Sequence, residues 1–264
     1  MDSHAYWAAW HQGSTLYAAA PEQQDAYLYS PAFAQAIWPL AQLPWPLFCG
    51  LWVAMAAAIY SWLLAPLPSR WRWPLLLFCT TDILSGNVWS LFALVLVWGA
   101  RFPAVWALPL LTKVTPGVGP LWFLVRREWR SLAIALGATA LIALLSFLLM
   151  PDAWRDWARL LLHPETFRTP GRADFTPLFH PPRAFLFAVQ LPVVAAVTVW
   201  AARTDRPWLL AVAMFFASPV FNTNALVLLA AIPRMRVRRP IAHPGSRPSV
   251  RISEFAPLRE RPPS

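Results

Sequence analysis

Residues 82–127 read DILSGNVWSLFALVLVWGARFPAVWALPLLTKVTPGVGPLWFLVRR, a largely apolar stretch. It contains Lys113, the only lysine in the sequence, which has apolar residues before it and a Pro116-Gly117 break after it. An ammonium group in apolar surroundings is costly unless it is paired or faces a water-filled cavity. We therefore take Lys113 as a candidate anchor for an anion such as phosphate, with a lysine that snorkels from a helix end as the alternative.

The composition favours an integral membrane protein that crosses the bilayer several times. Of the 264 residues, 58% are hydrophobic and only 13% are charged, and 17 are tryptophan. A soluble domain with so many apolar runs would expose aggregating patches. The net charge of +10 comes from arginines beside apolar runs and in the tail, which are topology signals, so we expect no nucleic-acid partner. Cys49 and Cys79 lie in apolar stretches and are expected to be small buried side chains.

The apolar runs predict an all-α, polytopic bundle with about seven or eight spanning or half-spanning segments. The predicted spans are residues 45–65, 131–150 and 184–202. Residues 31–44, interrupted by Pro39, are expected to lie in the membrane interface. The long run 207–233 has a polar break at 218–224, which indicates two half-helices. Two further segments are predicted to be irregular: a cytoplasmic turn at 66–73 and a long polar loop at 151–183.

The arginines predict the orientation of these segments. If the arginine-rich turns are cytoplasmic, the N-terminus, the break at 82–87, the break at 113–119 and the turn at 218–224 all fall on the extracytoplasmic side. The sequence therefore predicts a cavity lined by broken helices, open to that side and holding one cation. Residues 1–233 are predicted to form the membrane domain, and residues 234–264 a disordered basic cytoplasmic tail.

Other candidate site residues are weaker on their own. Asp82 is an acid within the membrane region, and its alternatives are a helix-end residue or a counter-ion of Lys113. Asn222 and Asn224 are suited to bind a ligand, although asparagines are also common in turns. Asp2, judged by spacing alone, is a surface acid. No metal-ligand spacing is present, so no metal or other cofactor is expected, and a divalent metal stays an open alternative.

Several short motifs occur in an order that resembles a known family. An aspartate precedes a tyrosine by four positions; then come a Y-x-P-x-F motif with a later Leu-Pro, a Gly-Asn pair, a K-x-T-P motif before an arginine cluster, and a Ser-Pro turn. In this sequence they are Asp2 and Tyr6, Tyr29 to Phe33 with Leu43-Pro44, Gly86-Asn87, Lys113 to Pro116 before Arg126-Arg127, and Ser218-Pro219. This order resembles glycosyltransferase family 87, integral membrane mannosyltransferases of the GT-C superfamily.

The resemblance implies a function and a site. It implies transfer of a hexose, most simply mannose, from a polyprenyl-phosphate donor to an extracytoplasmic glycolipid or glycan at the cell's inner (plasma) membrane. It also makes Asp2 the general base. Lys113, with Asn87, Gly86 and Thr115, would then bind the donor phosphate and sugar, and Tyr29 is a further candidate site residue.

The chain also departs from the family pattern. Relatives usually carry a transmembrane helix before this aspartate, so we expect either a start further upstream or a truncated relative in which Asp2 is poorly held. Their Ser-Pro turn often contains histidine, where this chain has Asn222 and Asn224. Two alternatives to an enzyme follow: a transporter of small molecules or lipids, which an inverted repeat would favour, and an inactive partner of a complete enzyme.

Overall fold

The computed structural model describes residues 2–12, 15–19, 23, 25–113, 117–162, 183–217 and 223–237. Within these ranges all regular structure is helical and no strand occurs, which confirms the predicted all-α class. Short 3₁₀ helices at Pro103–Trp106 and Thr223–Ala231 join the α-helices. The α-helices are α1 Asp2–Ala8, α2 Pro31–Ala41, α3 Trp45–Leu64, α4 Ser69–Ser85, α5 Trp89–Trp98, α6 Ala107–Thr112, α7 Val118–Val125, α8 Trp129–Leu149, α9 Pro151–Leu162, α10 Arg183–Arg203, α11 Leu209–Phe216 and α12 Ile232–Val237.

Two described helices, α3 and α8, are long and apolar enough to cross a membrane. Their bounds agree with the predicted spans to within one or two residues. A helix of this length measures about 30 Å, the thickness of the hydrocarbon core. Large apolar side chains point outward along α4, α8 and α10, among them Leu77, Leu148 and Leu191. This apolar exterior suits contact with lipid chains and would be unstable in water.

The connection between α3 and α4 is shorter than the sequence predicted. Residues 66–73 were expected to form a turn, but α4 already begins at Ser69, so Arg70 and Arg72 are helical. The guanidinium of Arg72 reaches back and donates to the carbonyl oxygens of Ala65 and Leu67 at 2.6 and 2.9 Å. These carbonyls follow the last turn of α3, where partners within the helix are lacking. The arginine therefore serves as a cap while its own backbone remains in a helix.

The predicted loop at 151–183 is wrong over its first part, which forms α9. Ion pairs between residues three apart, Asp152 with Arg155 and Asp156 with Arg159, support this helix. Trp154 donates from its indole Nε1 to Ser146 Oγ at 2.9 Å and holds α9 against α8. The helix is amphipathic and no residue in it is fully buried. Residues 163–182 lie outside the described part of the chain.

The buried helix α5 connects two chemically different ends of the bundle. Its first residue, Trp89, lies beside Lys113, and its last, Trp98, stacks on Trp62 with 6.1 Å between ring centroids. The guanidinium of Arg234 also lies over the Trp62 ring, 4.4 Å from its centroid, and donates to the Trp62 carbonyl oxygen at 2.7 Å. The helix between these ends is about 15 Å long. Lys113 and this C-terminal arginine therefore lie near opposite ends of α5.

The C-terminal segments partly follow the prediction. α11 and the 3₁₀ helix at 223–231 are two short helical pieces on either side of the predicted break, as expected for half-helices. α12 continues to Val237, beyond the predicted domain boundary at 233. Residues 238–264, most of the predicted tail, lie outside the described residues. In the interface segment 31–44, α2 runs past Pro39 and ends at Ala41.

Candidate functional site

Asn87 is the centre of the candidate site. Its side-chain Nδ2 donates to the Oδ2 carboxylate oxygen of Asp2 at 2.5 Å. Its Oδ1 accepts from the backbone N–H of Val88 at 2.7 Å and from the ammonium of Lys113 at 3.4 Å. Because a backbone N–H is always a donor, the bond from Val88 fixes which end of the amide is the oxygen. One asparagine thus joins the predicted base to the predicted phosphate anchor.

Lys113 lies where α6 ends. Its backbone is extended, and its N–H closes the helix by donating to Pro109 at 2.9 Å. A cation is favoured there because the carbonyl oxygens of a helix C-terminus carry partial negative charge. The ammonium lies 4.0 Å from the centroid of the Trp89 ring and 5.6 Å from that of Tyr29. These aromatic faces attract the charge and leave it half-buried instead of fully hydrated.

Gly86 allows α1 to approach the site. It caps α4 in the left-handed conformation, with φ of +70°. A Cβ atom at this position would overlap the Oγ and Cβ atoms of Ser3. Glycine therefore supplies both the backbone conformation and the space that let α1 lie against the end of α4. This contact brings the Asp2 carboxylate to Asn87.

Tyrosines from three segments form one wall of the site. Tyr6 on α1 donates from its hydroxyl to the Tyr29 hydroxyl at 3.1 Å. Tyr17 donates to the carbonyl oxygen of Tyr29 at 2.7 Å. Burial, with smaller effects from Tyr29 and from the charge of Asp2, raises the pKa of Tyr6 well above its ordinary value. Tyr6 therefore keeps its proton and stays a hydrogen-bond donor at neutral pH.

Ser30 joins α2 to α6, and sequence reasoning missed it. Its Oγ accepts the N–H of Phe33 at 3.4 Å, which caps the N-terminus of α2, and it donates to the carbonyl oxygen of Leu111. This bond holds the neighbouring Tyr29 beside Lys113. A serine before Pro31 is a recognisable cap signal in the sequence, but nothing local indicates a partner 81 positions away.

Asp82 lies in the last turn of α4 and is fully buried. The Tyr60 hydroxyl donates to its Oδ2 at 2.6 Å. The charges of Lys113 and Asp2 both act on this carboxylate. The structure thus places Asp82 behind the site, where it touches Tyr60. Tyr60 was not predicted, because it is an aromatic residue inside an apolar span.

The remaining predicted residues are placed only in part. Thr115 and Asn222 lie outside the described residues. Asn224 stands in the first turn of the 3₁₀ helix Thr223–Ala231 and is half-buried. In the described part of the chain, no group of three or more His, Cys, Asp or Glu side chains is arranged to hold a metal ion.

An apolar groove of about 610 Å³ begins next to Lys113. Leu111 and Thr112, the two residues before Lys113, line one end of it, and Trp98 and Phe102 line the other. Its walls come from α2, α5, α6, α8 and the 3₁₀ helix at 103–106. The volume lies within the usual range of ligand pockets. A ligand with an anionic head and an apolar tail would fit the ammonium and the groove together.

This arrangement has three chemical capacities. The Asp2 carboxylate is able to accept a proton, Lys113 is able to bind an anion, and the groove is able to hold a hydrocarbon chain. Fold and site therefore define a helical protein with an apolar exterior, in which a carboxylate and an ammonium share one asparagine near an apolar groove.

The family model of glycosyltransferase family 87 matches residues 27–229, and the chain belongs to that family. This confirms the predicted resemblance and makes the protein a member of a family of membrane glycosyltransferases. The matched residues include Tyr29, Gly86, Asn87 and Lys113, whereas Asp2 precedes them. Neither the search of curated proteins nor the search of solved structures gave a match.

Proposed function

We propose that this protein transfers a hexose, most simply mannose, from a polyprenyl-phosphate donor to a glycolipid or glycan acceptor. The single observation that carries the proposal is the position of Lys113. Lys113 directly follows Leu111 and Thr112, which line an apolar groove, and its ammonium is linked through Asn87 to a carboxylate. A lipid-linked phosphate sugar presents matching groups in the same order: an apolar chain, an anion, and a sugar carbon to be attacked.

In the proposed reaction, Asp2 is the general base. An acceptor hydroxyl loses its proton to the Asp2 carboxylate, and its oxygen forms a bond to the anomeric carbon of the donor sugar. The bond between that carbon and the phosphate oxygen breaks, and polyprenyl phosphate leaves with the electron pair. Lys113 stabilises the charge that develops on the leaving phosphate. Asn87 holds the Asp2 carboxylate and the Lys113 ammonium in position relative to each other. Gly86 and Tyr29 shape the site, and Thr115 is a further donor to the phosphate or sugar.

The groove is assigned to the polyprenyl chain. The lining is apolar from Leu111 and Thr112 at the Lys113 end to Phe102 at the other. Burial of apolar chain in such a groove is favourable by roughly 25 cal/mol per Å². The distance covered by α6 and the 3₁₀ helix before it is about 17 Å, which is enough for the first part of a long chain.

We further propose that the chain is a polytopic, GT-C-like bundle with about seven or eight spanning or half-spanning segments. The Asp2–Lys113 end would face away from the cytosol, and the Arg234 end would face it, as the positive-inside rule predicts for the cell's inner (plasma) membrane. The acceptor would then reach Asp2 from the extracytoplasmic side.

The proposal is tested by sugar transfer in membranes that contain the protein. Three radiolabelled donors are compared: polyprenyl-phosphate mannose, polyprenyl-phosphate glucose and a nucleotide-linked mannose. We expect transfer from the first donor and loss of transfer in Asp2→Asn. Lys113→Ala should raise the donor KM strongly. Gln42→Ala, which removes an exposed amide at the end of α2, is the matched control.

Two results would contradict the proposal. Full activity in Asp2→Asn would remove the base, and an unchanged donor KM in Lys113→Ala would remove the phosphate anchor. Binding of polyprenyl phosphate through Lys113 without sugar transfer from any donor would favour a lipid carrier instead.

A further inference from the structure

The buried carboxylate of Asp82 is not needed by the proposed reaction. It has no exposed surface, and only Oδ2 is bonded, by Tyr60 at 2.6 Å. The other oxygen, Oδ1, has no hydrogen-bond partner among the described residues. A buried acceptor left without a partner is destabilising. The position therefore calls for an explanation beyond packing.

The surroundings of Asp82 make its charge still more costly. The residue lies at the C-terminal end of α4, where its own carbonyl accepts the N–H of Gly86 at 3.0 Å and the helix dipole is negative. Burial and the charge of Asp2 oppose ionisation, whereas the bond from Tyr60 and the charge of Lys113 favour it. An apolar side chain of similar size would fill the same space at lower cost. What only the aspartate supplies is a fixed negative charge behind the site.

The substrate and product of the proposed reaction differ in charge at this point. The donor is a phosphodiester with one negative charge. The polyprenyl phosphate that leaves is a phosphomonoester, whose second pKa near 6 gives it almost two negative charges at pH 7. A fixed negative charge near the phosphate weakens the binding of both, and it weakens the binding of the dianion about twice as much on a free-energy scale.

We propose that Asp82, held by Tyr60, is a specificity-determining residue that disfavours the phosphomonoester product relative to the phosphodiester donor. It does so through its charge, without touching either lipid. Lys113 alone would bind the product more tightly than the donor and slow its release. The negative charge of Asp82 reduces this difference in affinity between product and donor. This inference rests on the proposed function, because it takes Lys113 as the phosphate anchor.

The test uses two probes that differ only in charge: a polyprenyl phosphate and its methyl ester, which is a phosphodiester. Their dissociation constants are measured at pH 8 with the full chain in lipid nanodiscs. In Asp82→Asn, we expect the monoester to bind about tenfold more tightly and the methyl ester about threefold more tightly. Gln42→Ala, which removes an exposed amide at the end of α2 and leaves Asp82 and Tyr60 in place, is the control and should leave the ratio of the two constants unchanged. Asp82→Leu also removes the charge and serves if the asparagine variant does not fold.

The outcomes separate the two proposals. The role of Asp82 is overturned if the charge-removing variants leave the ratio of the two dissociation constants unchanged, or if both probes bind more weakly by the same factor. Either result leaves the proposed function intact. If Lys113→Ala does not weaken either probe, the phosphate anchor itself is wrong, and both proposals fall. At pH 5.5 the monoester carries about one charge, so the effects of Asp82→Asn on the two probes should converge.

Discussion

The amide of Asn87 donates to the carboxylate of Asp2 across 85 positions of sequence. This bond links α1 to the segment between α4 and α5, and the other end of the same amide accepts from Lys113. One amide therefore contacts both the carboxylate of Asp2 and the ammonium of Lys113.

We predict that Asn87→Ala lowers the rate of sugar transfer by about 10- to 100-fold. The variant removes a hydrogen bond to each of two charged groups, and such bonds contribute about 1.5–3 kcal/mol. Initial rates at saturating donor measure the effect, with Gln42→Ala as the control for an amide lost outside the site. Asn87→Asp is a sharper variant, because a second carboxylate cannot donate to Asp2; activity equal to wild type in either variant would contradict the bridging role.

We predict that Gly86→Ala destabilises the protein by about 1–3 kcal/mol. An alanine at this position must adopt the left-handed backbone conformation, and its methyl group must displace Ser3. Thermal melting in detergent should show a lower Tm, together with loss of transfer. Gly137→Ala in α8 is the matched control, since nothing lies within 4 Å of the added Cβ there. That substitution should be neutral or slightly stabilising, because alanine favours a helix more than glycine does.

We predict that Ala104→Trp selects against donors with long chains. Ala104 lines the end of the groove far from Lys113, so an indole there should shorten the space for the chain. The KM for a long polyprenyl donor should rise about tenfold, because a tenfold change corresponds to the loss of one or two buried methylene groups. A donor with a short chain should keep its KM. Ala140→Trp places the same side chain on the exposed face of α8 as a control. Equal changes for both donors would contradict this use of the groove.

We predict that Tyr27 makes the stability of the protein fall at alkaline pH. Burial, with smaller effects from Tyr17 and Tyr29, raises the pKa of Tyr27 well above its ordinary value of 10.0. Below pH 10 both the folded and the unfolded chain keep this proton. Above pH 10 the unfolded chain loses it and the folded chain retains it, so stability declines as the pH rises toward the folded pKa. The decline should be shallower in Tyr27→Phe.

The measurement for this prediction is the Tm between pH 9 and 11. Tyr27→Phe also loses the hydrogen bond to the carbonyl oxygen of Ser30, so its Tm is expected to be lower at every pH. Only the slopes are compared. Parallel curves for the two proteins would show that Tyr27 does not titrate as its burial implies.

Much of the fold followed from apolar run length. The spans α3 and α8 could be predicted closely because an uncharged run of that length has few alternatives to a membrane helix. α9 could not be predicted from its polar content alone. Its many charged residues suggested a loop, although they pair along one helix face and its tryptophans and leucines recur at helical spacing. α1 was missed for another reason: a helix of 7 residues is not stable by itself and depends on tertiary contacts.

The candidate site was predicted less completely than the fold. Lys113 was identifiable because an isolated lysine between apolar residues is rare. Gly86-Asn87 was identifiable because the pair is one of the motifs that resemble glycosyltransferase family 87. Tyr60 and Ser30 carry no such signal, since each meets its partner, Asp82 or Leu111, only after the helices have packed. Their roles as partners depend on tertiary contact, which no local pattern of residues encodes.

The docked position of α1 has a consequence for the biogenesis of the protein. Its docking surface includes Gly86 and Asn87, which a ribosome adds long after α1 has emerged. The newly made α1 must therefore stay at the bilayer surface, a position that suits its Trp7, until α4 and α5 have been inserted. Maturation of the site is then a late event, and an arrested nascent chain that ends before Gly86 would carry its carboxylate undocked.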